Sequence, residues 1–188
     1  MKEKIAHLQH QLFLHTGMKL AARVGYENAS LERIAATAKV PVARLKSQYV
    51  DFTHYLIALQ QHFLNELRSA VIEATLGQPP GLDRVRAGTV SYLDICLKYR
   101  GARGWFMAAR RNENLVAEGL RRQSQSYVLI MSTEFHALGW PYPLAAARLY
   151  LAAMYETARV EQLAGKPDKA LRNAIWDVAR VYTRTRRR

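Results

Sequence analysis

The sequence predicts an all-α fold. Apolar residues recur at helical spacing along most of the 188-residue chain, and no segment shows the alternation typical of a strand. Clusters of glycine and proline interrupt this pattern at residues 77–81, 139–143 and 165–167, where we place loops between helices. The hydrophobic content of 49% is sufficient for a substantial core.

The periodicity places each helix in order. We expect long helices at about residues 4–24, 53–76, 82–99, 114–138, 144–164 and 168–185. Between two of them, a stretch punctuated by Gly101 and Gly104 leads into a short helix near Trp105. The helix at 53–76 is expected to join a small N-terminal domain, residues 1–52, to a larger helical domain, residues 53–188.

Two short helices joined by a tight turn are predicted in the first quarter of the chain. Ser30 can cap the first of them, and Pro41 lies where the second begins. The first helix buries an apolar face made of Leu31, Ile34, Ala35 and Ala38. The second buries a stripe made of Val42, Leu45 and Tyr49. Its other face consists of Ala43, Arg44, Lys46, Ser47 and Gln48.

This arrangement is typical of a helix-turn-helix, in which the second helix enters the major groove of DNA. The outward face of the second helix carries no acid, so phosphate would not repel it, and its side chains can form hydrogen bonds. The net charge of +13 also favours an anionic partner. Two packed helices without DNA binding remain an alternative at this stage.

The same segment resembles the DNA-binding domain of the TetR family of bacterial transcriptional regulators over about residues 10 to 56. The matching residues, in order and spacing, are Phe13, Leu14, Gly17, Met18, Leu20, Gly25, Tyr26, Ser30, Leu31, Ile34, Ala35, Ala38, Val40, Leu45 and Tyr49. The chain departs from the family pattern at the positions usually occupied by Gly, Tyr, Phe and Lys, which here carry Lys39, Lys46, Tyr49 and Phe52. Lys39 matters most, because a turn residue with positive φ tolerates a side chain only at a cost.

The resemblance implies a ligand-responsive regulator, a repressor, that binds pseudo-palindromic double-stranded DNA as a homodimer. Residues expected to approach phosphates are Tyr26, Ser30 and Lys39. Residues expected to face the groove or its edges are Arg44, Lys46, Ser47 and Gln48, with Val42 and Ala43 packing against bases or sugars. Together these residues form the predicted DNA-binding site.

The last two helices are the predicted dimer surface. Small residues on the first permit close approach, and the second is apolar around more of its circumference than a one-sided helix needs. The interface residues we select are Leu149, Tyr155, Leu171, Ile175, Trp176, Ala179 and Tyr182. A four-helix interface is also what the resemblance implies. A monomeric bundle, in which these faces only close the core, is the alternative.

A ligand cavity in the larger domain is implied by the resemblance as well, for an effector that the sequence does not identify. Candidate lining residues are Tyr92, Cys96, Tyr99, Trp105, Phe106, Tyr127, Met131, Phe135 and Tyr155. Polar anchors for a ligand could come from Glu134 and His136, or from Glu156 and Glu161. At helical spacing the same aromatic residues more often belong to a plain core.

Other functional classes find less support in the sequence. No nucleophile elbow, phosphate-binding glycine loop or zinc-protease motif is present, so we predict no enzyme and no cofactor. Glu3, His7 and His10 share one helix face, but without a supporting shell we interpret them as a solvated face and predict no metal. Cys96 is the single cysteine, which excludes an internal disulfide.

Localisation is predicted from the absence of membrane signals. No apolar run reaches the ~18 residues that a membrane span requires, so we expect a soluble, cytoplasmic protein. The run Arg184, Arg186, Arg187 and Arg188 is interpreted as a solvated tail. A basic helical adaptor that binds anionic membranes or protein partners, without sequence-specific DNA binding, is the alternative function.

Overall fold

The computed structural model describes residues 2–185, with side chains described for residues 7–183, and every regular element in this range is helical. The α-helices are α1 Lys2–Ala21, α2 Leu31–Ala38, α3 Val42–Lys46, α4 Phe52–Thr75, α5 Leu82–Lys98, α6 Arg100–Ala109, α7 Asn114–Ala137, α8 Pro143–Ala164 and α9 Lys169–Thr185. A 3₁₀ turn covers Tyr26–Asn28. The all-α prediction is confirmed, with most helix ends within a few residues of their expected positions. The side chains of the C-terminal arginine run lie outside the described residues.

Gly101 and Gly104 do not interrupt the chain as expected, because both lie inside α6. A Cβ atom on Gly101 would overlap the backbone carbonyl of Ala21 at the end of α1. Glycine at this position therefore serves the close packing of α6 against α1 rather than a helix break.

The chain divides into two compact units. The first comprises residues through Asn65 together with Tyr99–Leu120, and the second comprises Glu66–Lys98 together with residues from Arg121 onward. Helices α4 and α7 each contribute to both units. The functional boundary between residues 52 and 53 stays a prediction.

In the first unit, α1 packs against α2 and α6. The side chains of Phe13, Ile34, Leu45, Tyr55, Trp105 and Phe106 are almost fully buried there. The indole Nε1 of Trp105 donates to the carbonyl oxygen of Val24 at 2.7 Å, so the segment after α1 is tied to α6. This core supports the helix-turn-helix segment from behind.

In the second unit, α8 packs against both α5 and α9. Phe135 and Trp140 stack with ring centroids 4.0 Å apart, and Trp140 Nε1 donates to Thr183 Oγ1 at 3.1 Å. A buried ion-pair network adds a second tie, because the guanidinium of Arg172 on α9 reaches Glu161 on α8 and Asp94 on α5. The carboxylate of Glu161 is fully buried, so the Arg172–Glu161 pair belongs to the core, whereas Asp94 lies at the surface.

Candidate functional site

The start of α2 and the turn after it have well-defined backbone geometry. The hydroxyl oxygen of Ser30 accepts a hydrogen bond from the backbone N–H of Arg33 at 3.3 Å, which confirms Ser30 as the N-cap. Lys39 has φ 57° and ψ 43°, which confirms the predicted left-handed turn residue. The backbone N–H of Lys39 donates to the carbonyl oxygen of Ala36, and that of Val40 donates to the carbonyl oxygen of Ala35. This is the Schellman pattern at a helix end.

The turn places α3 with one face buried and the other exposed. Leu45 is fully buried and Tyr49, just after α3, is 5% exposed. Val42 is half-buried. The outward residues Ala43, Arg44, Lys46, Ser47 and Gln48, which we call the reading face, are all exposed. Ser47 and Gln48 lie beyond the last residue of α3, so they present their side chains from a turn rather than from the helix.

The reading face is held from below by an aromatic network. The hydroxyl of Tyr49 lies 2.9 Å from Nδ1 of His10, and its ring meets Tyr55 edge-on at 5.1 Å. Tyr55 in turn donates its hydroxyl hydrogen to the carbonyl oxygen of Phe13 at 2.8 Å. Burial raises the pKa of Tyr49 to about 12, so this residue remains a neutral phenol near neutral pH. The network fixes the end of α3 against α1 and α4.

Two basic side chains of the reading face differ in their surroundings. Lys46 Nζ lies 3.1 Å from Oε1 of Glu32 on α2. Arg44 makes no ion pair within the part of the chain that the structure describes. Arg44 is therefore the more available cation, whereas Lys46 must leave Glu32 to meet a phosphate.

The three residues predicted to contact phosphates differ in how exposed and how engaged their side chains are. Lys39 is exposed at the turn. Ser30 is half-buried and its hydroxyl is engaged in the cap. Tyr26 is half-buried and packs against Phe52 with ring centroids 6.2 Å apart. The DNA contacts of all three residues stay predictions.

A cavity of about 90 Å³ lies within the second unit, between α4, α5, α7 and α8. We call it the Glu134 cavity. It is lined by Val71, Thr75, Arg84, Val85, Gly88, Thr89, Tyr92, Tyr127, Ile130, Met131, Glu134, Leu151 and Met154. Most of these side chains are apolar, and Glu134 is the only carboxylate among them.

The residues predicted to line an effector site fall into three groups. Tyr92, Tyr127 and Met131 line the Glu134 cavity, and Tyr155 packs beside it against Tyr92. Cys96 and Phe135 are buried in the second unit but do not line the cavity. Within the first unit, Tyr99 and Phe106 pack around Phe63, and Trp105 packs against Phe52.

The proposed polar anchors also separate. Glu134 lines the cavity, whereas His136 and Glu156 are exposed. Glu161 is buried in the ion-pair network with Arg172. Arg84, which pairs with Glu134, is a cavity residue that the sequence analysis did not select, because the two residues are distant in sequence and meet only in the folded chain.

A second concave surface, the α8–α9 groove, has a volume of about 530 Å³. Its walls are largely apolar, and Leu149, Val178 and Tyr142 are 75%, 68% and 71% exposed. Of the predicted interface residues, Leu149, Leu171, Ile175 and Tyr182 line this groove.

The remaining predicted interface residues lie elsewhere. Trp176 is half-buried under the guanidinium of Arg86, which lies 5.1 Å from the ring centroid. Ala179 is fully buried, and Tyr155 faces Tyr92. The groove itself also includes Val178, Ala145 and Ala153.

For Glu3, His7 and His10 on α1, the sequence predicts a solvated face without a metal. The side chain of Glu3 lies outside the described residues, His7 is exposed, and His10 is engaged with Tyr49. Among the described side chains, no group of three His, Cys, Asp or Glu residues is arranged to hold a metal ion.

This geometry is that of a helix-turn-helix unit followed by a helical unit, and solved structures share it along almost the full chain. A transcriptional regulator from Rhodococcus sp. Rha1 is 17% identical, with a TM-score of 0.81 over 94% of each chain. The regulatory protein TetR from Rhodobacter sphaeroides is 16% identical, with a TM-score of 0.70 over 93% of this chain and 97% of that one. NemR of E. coli, in its reduced form, is 15% identical, with a TM-score of 0.70 over 90% of this chain and 94% of its own.

The resemblance to the TetR family is thus confirmed at the level of the fold. No protein-family model matches the sequence, and no curated protein is significantly similar to it. Among the helices of residues 2–185, none combines the length and apolar character needed to cross a bilayer.

Proposed function

We propose that this protein is a ligand-responsive transcriptional regulator, a repressor, that binds pseudo-palindromic operator DNA as a homodimer through residues 1–52. The observation that carries the proposal is the reading face, which is exposed, acid-free and fixed by a buried aromatic network. An outward helix of this kind, following a tight turn, is the element that helix-turn-helix proteins insert into the major groove.

The exposed side chains suit the two tasks of a DNA reader. Arg44 can donate hydrogen bonds at base edges, and Ser47 and Gln48 can donate or accept them. Val42 and Ala43 are small enough to approach bases or sugars. Lys46 and Lys39, with Tyr26 and Ser30 beside them, would meet phosphates, which set the position of the protein but not its sequence preference. The charge of +13 adds attraction that does not depend on sequence.

Dimerisation is supported by the α8–α9 groove. A groove with walls as apolar and as exposed as those at Leu149 and Val178 is unusual for a monomer and favours a partner surface. A second copy of the chain could cover it with the same two helices, forming a four-helix interface. Such a dimer would present two reading faces to half-sites about 34 Å apart.

The Glu134 cavity supports a response to a ligand. We propose no enzymatic activity for this protein. Solved structures that share this fold include transcriptional regulators, which supports a regulatory role for this chain. Because the chromosome is the expected partner, we place the protein in the cytoplasm. The effector would act by binding one conformation of the dimer more tightly than the other.

The test starts with selection of bound duplexes from a mixed library, which should return an inverted repeat. The double variant Arg44→Ala/Lys46→Ala should then lose at least tenfold in affinity for that duplex at moderate salt, with a salt slope reduced by about 1, because Lys46 is the one of the two assigned to a phosphate. The matched control is Lys166→Ala/Lys169→Ala, which removes the same charge from exposed positions outside the reading face.

Two results would overturn the proposal. One is unchanged binding by the Arg44→Ala/Lys46→Ala variant, and the other is a selection that returns no repeat. Flotation with anionic vesicles, measured in parallel, would in that case favour the membrane adaptor.

A further inference from the structure

The Glu134 carboxylate has an unusual position for a charged group. Residue Glu134 is 8% exposed, and one of its oxygens, Oε1, lies 2.9 Å from Nη2 of Arg84. The other oxygen, Oε2, is buried and has no hydrogen-bond partner among the described residues. Buried carboxylate oxygens are normally bonded, so an unbonded one indicates that something outside the chain completes the site.

The wall around this oxygen is apolar and soft. Tyr92 and Tyr127 meet edge to face at 5.5 Å, and Met131 and Met154 complete the lining. Thioethers and aromatic edges both pack well against a planar ring, and methionine can shift to fit it. Ile130, which is 54% exposed, marks a side where the cavity meets solvent, so a bound molecule need not be fully enclosed.

The charges near the cavity select the kind of polar group that Oε2 would accept. Glu134 is already paired with Arg84, so the pair is formally neutral. Burial raises the pKa of the Tyr127 phenol, and the cation of Arg68 acts in the opposite direction. A cationic ligand would therefore add an uncompensated buried charge, and an anionic one would be repelled by Oε2.

We propose that the Glu134 cavity binds a small, uncharged molecule with an apolar ring and a single hydroxyl or N–H group, which donates its hydrogen to Oε2 of Glu134. This inference rests on the proposed function, because the molecule would be the effector of the regulator. It goes further by assigning the effector's chemical class and the residue that selects it.

Three probes of similar size separate the possibilities: phenol, toluene and benzylammonium. Binding to the full-length protein is measured by calorimetry without DNA. We expect phenol to bind at least tenfold more tightly than toluene, because a hydrogen bond to a buried charged acceptor is worth about that factor or more. Benzylammonium should bind more weakly than phenol. In Glu134→Gln the advantage of phenol over toluene should shrink to about threefold or less, while toluene binding changes little.

The matched control is Glu73→Gln, an identical change at an exposed position of α4 outside the cavity, which should keep the full preference for phenol. Circular dichroism confirms that both variants are folded. The proposal is overturned if no probe binds, if phenol and toluene bind wild type equally, if benzylammonium binds most tightly, or if Glu134→Gln keeps the preference. Equal binding would indicate that a water molecule already satisfies Oε2.

Because this measurement uses no DNA, it can fail independently of the proposed function. If the mixed library returns no inverted repeat, the result counts against the regulator role. The order of probe affinities would still test the cavity. Phenol-dependent release of a selected duplex, abolished in Glu134→Gln and retained in Glu73→Gln, would connect the two.

Discussion

Lys46 and Glu32 lie on different helices of the helix-turn-helix, yet Nζ of the lysine is 3.1 Å from Oε1 of the glutamate. Both side chains are more than half exposed. Hydrogen bonds from its own backbone N–H and from Lys46 hold the pKa of the Glu32 carboxyl below its usual value. In the proposed DNA complex, Glu32 would compete with a phosphate for Lys46.

Glu32→Gln should therefore strengthen DNA binding. The change frees Lys46 and removes a negative charge beside the reading face, so we expect a roughly two- to fivefold gain in affinity at low salt. The salt slope should steepen by about 1. Duplex binding across a salt series measures both, with Glu73→Gln as the control. An unchanged affinity would mean that Lys46 does not contact DNA.

Lys39→Gly should stabilise the first unit, because Lys39 occupies the left-handed region with φ 57°. We expect a gain of about 1 kcal/mol in the free energy of unfolding, measured with urea. Lys39→Ala is the matched control, since it removes the same charge but keeps the Cβ atom. Equal effects of the two variants would assign the change to charge instead of backbone strain. The same glycine variant should lose DNA affinity if Lys39 meets a phosphate.

Arg172→Met should be strongly destabilising. It leaves the fully buried carboxylate of Glu161 without its cation, at a cost of about 3–5 kcal/mol. Arg180→Met, on the same helix, breaks only the exposed pair with Asp177 and should cost less than about 1 kcal/mol. Denaturant unfolding of both variants gives the comparison, and similar losses would refute a structural role for the buried network.

Gly101→Ala should destabilise the contact between α6 and α1, because the new methyl group meets the rigid backbone of Ala21. A loss of about 1–3 kcal/mol is expected from such overpacking. Gly88→Ala on α5 is the control, since its Cβ atom would lie 3.4 Å from the nearest atom, Cγ2 of Thr75. That variant should be neutral or slightly stabilising in thermal unfolding.

Leu149→Asp and Val178→Asp should each convert the proposed dimer to a monomer. Both side chains are exposed in the α8–α9 groove, where a buried carboxylate would have no partner in a dimer. Leu129→Asp, at a residue that is 65% exposed on α7 and outside the groove, should leave the assembly unchanged. Sedimentation velocity distinguishes the species, and a monomeric wild-type protein would refute the interface.

Local signals allowed much of the fold to be predicted from the sequence. The Ser30 cap and the Lys39 turn each depend on a few neighbouring residues, so their chemistry can be read without knowing the tertiary structure. Helix ends follow the glycine and proline clusters for the same reason. The predicted break at Gly101 was wrong because the role of this glycine depends on Ala21, a residue distant in sequence.

The cavity was harder to predict. Tyr92 and Tyr127 recur at the same helical spacing as the core residues Trp105 and Phe106, so periodicity alone cannot tell a cavity wall from a filled core. Glu134 was one of several polar candidates, and only its burial and its contact with Arg84 distinguish it. Such contacts arise from packing between helices, which leaves no local pattern.

The shortness of α3 limits what the proposed regulator can read. Val42–Lys46 is a helix of 5 residues, which at 1.5 Å per residue extends only about 7.5 Å. That length matches roughly two base-pair steps of duplex, so α3 can contact only a few base pairs of each half-site directly. A genome would contain many sequences close to so short a half-site. Discrimination among them would depend on the spacing between the two half-sites and on how easily the duplex between them deforms.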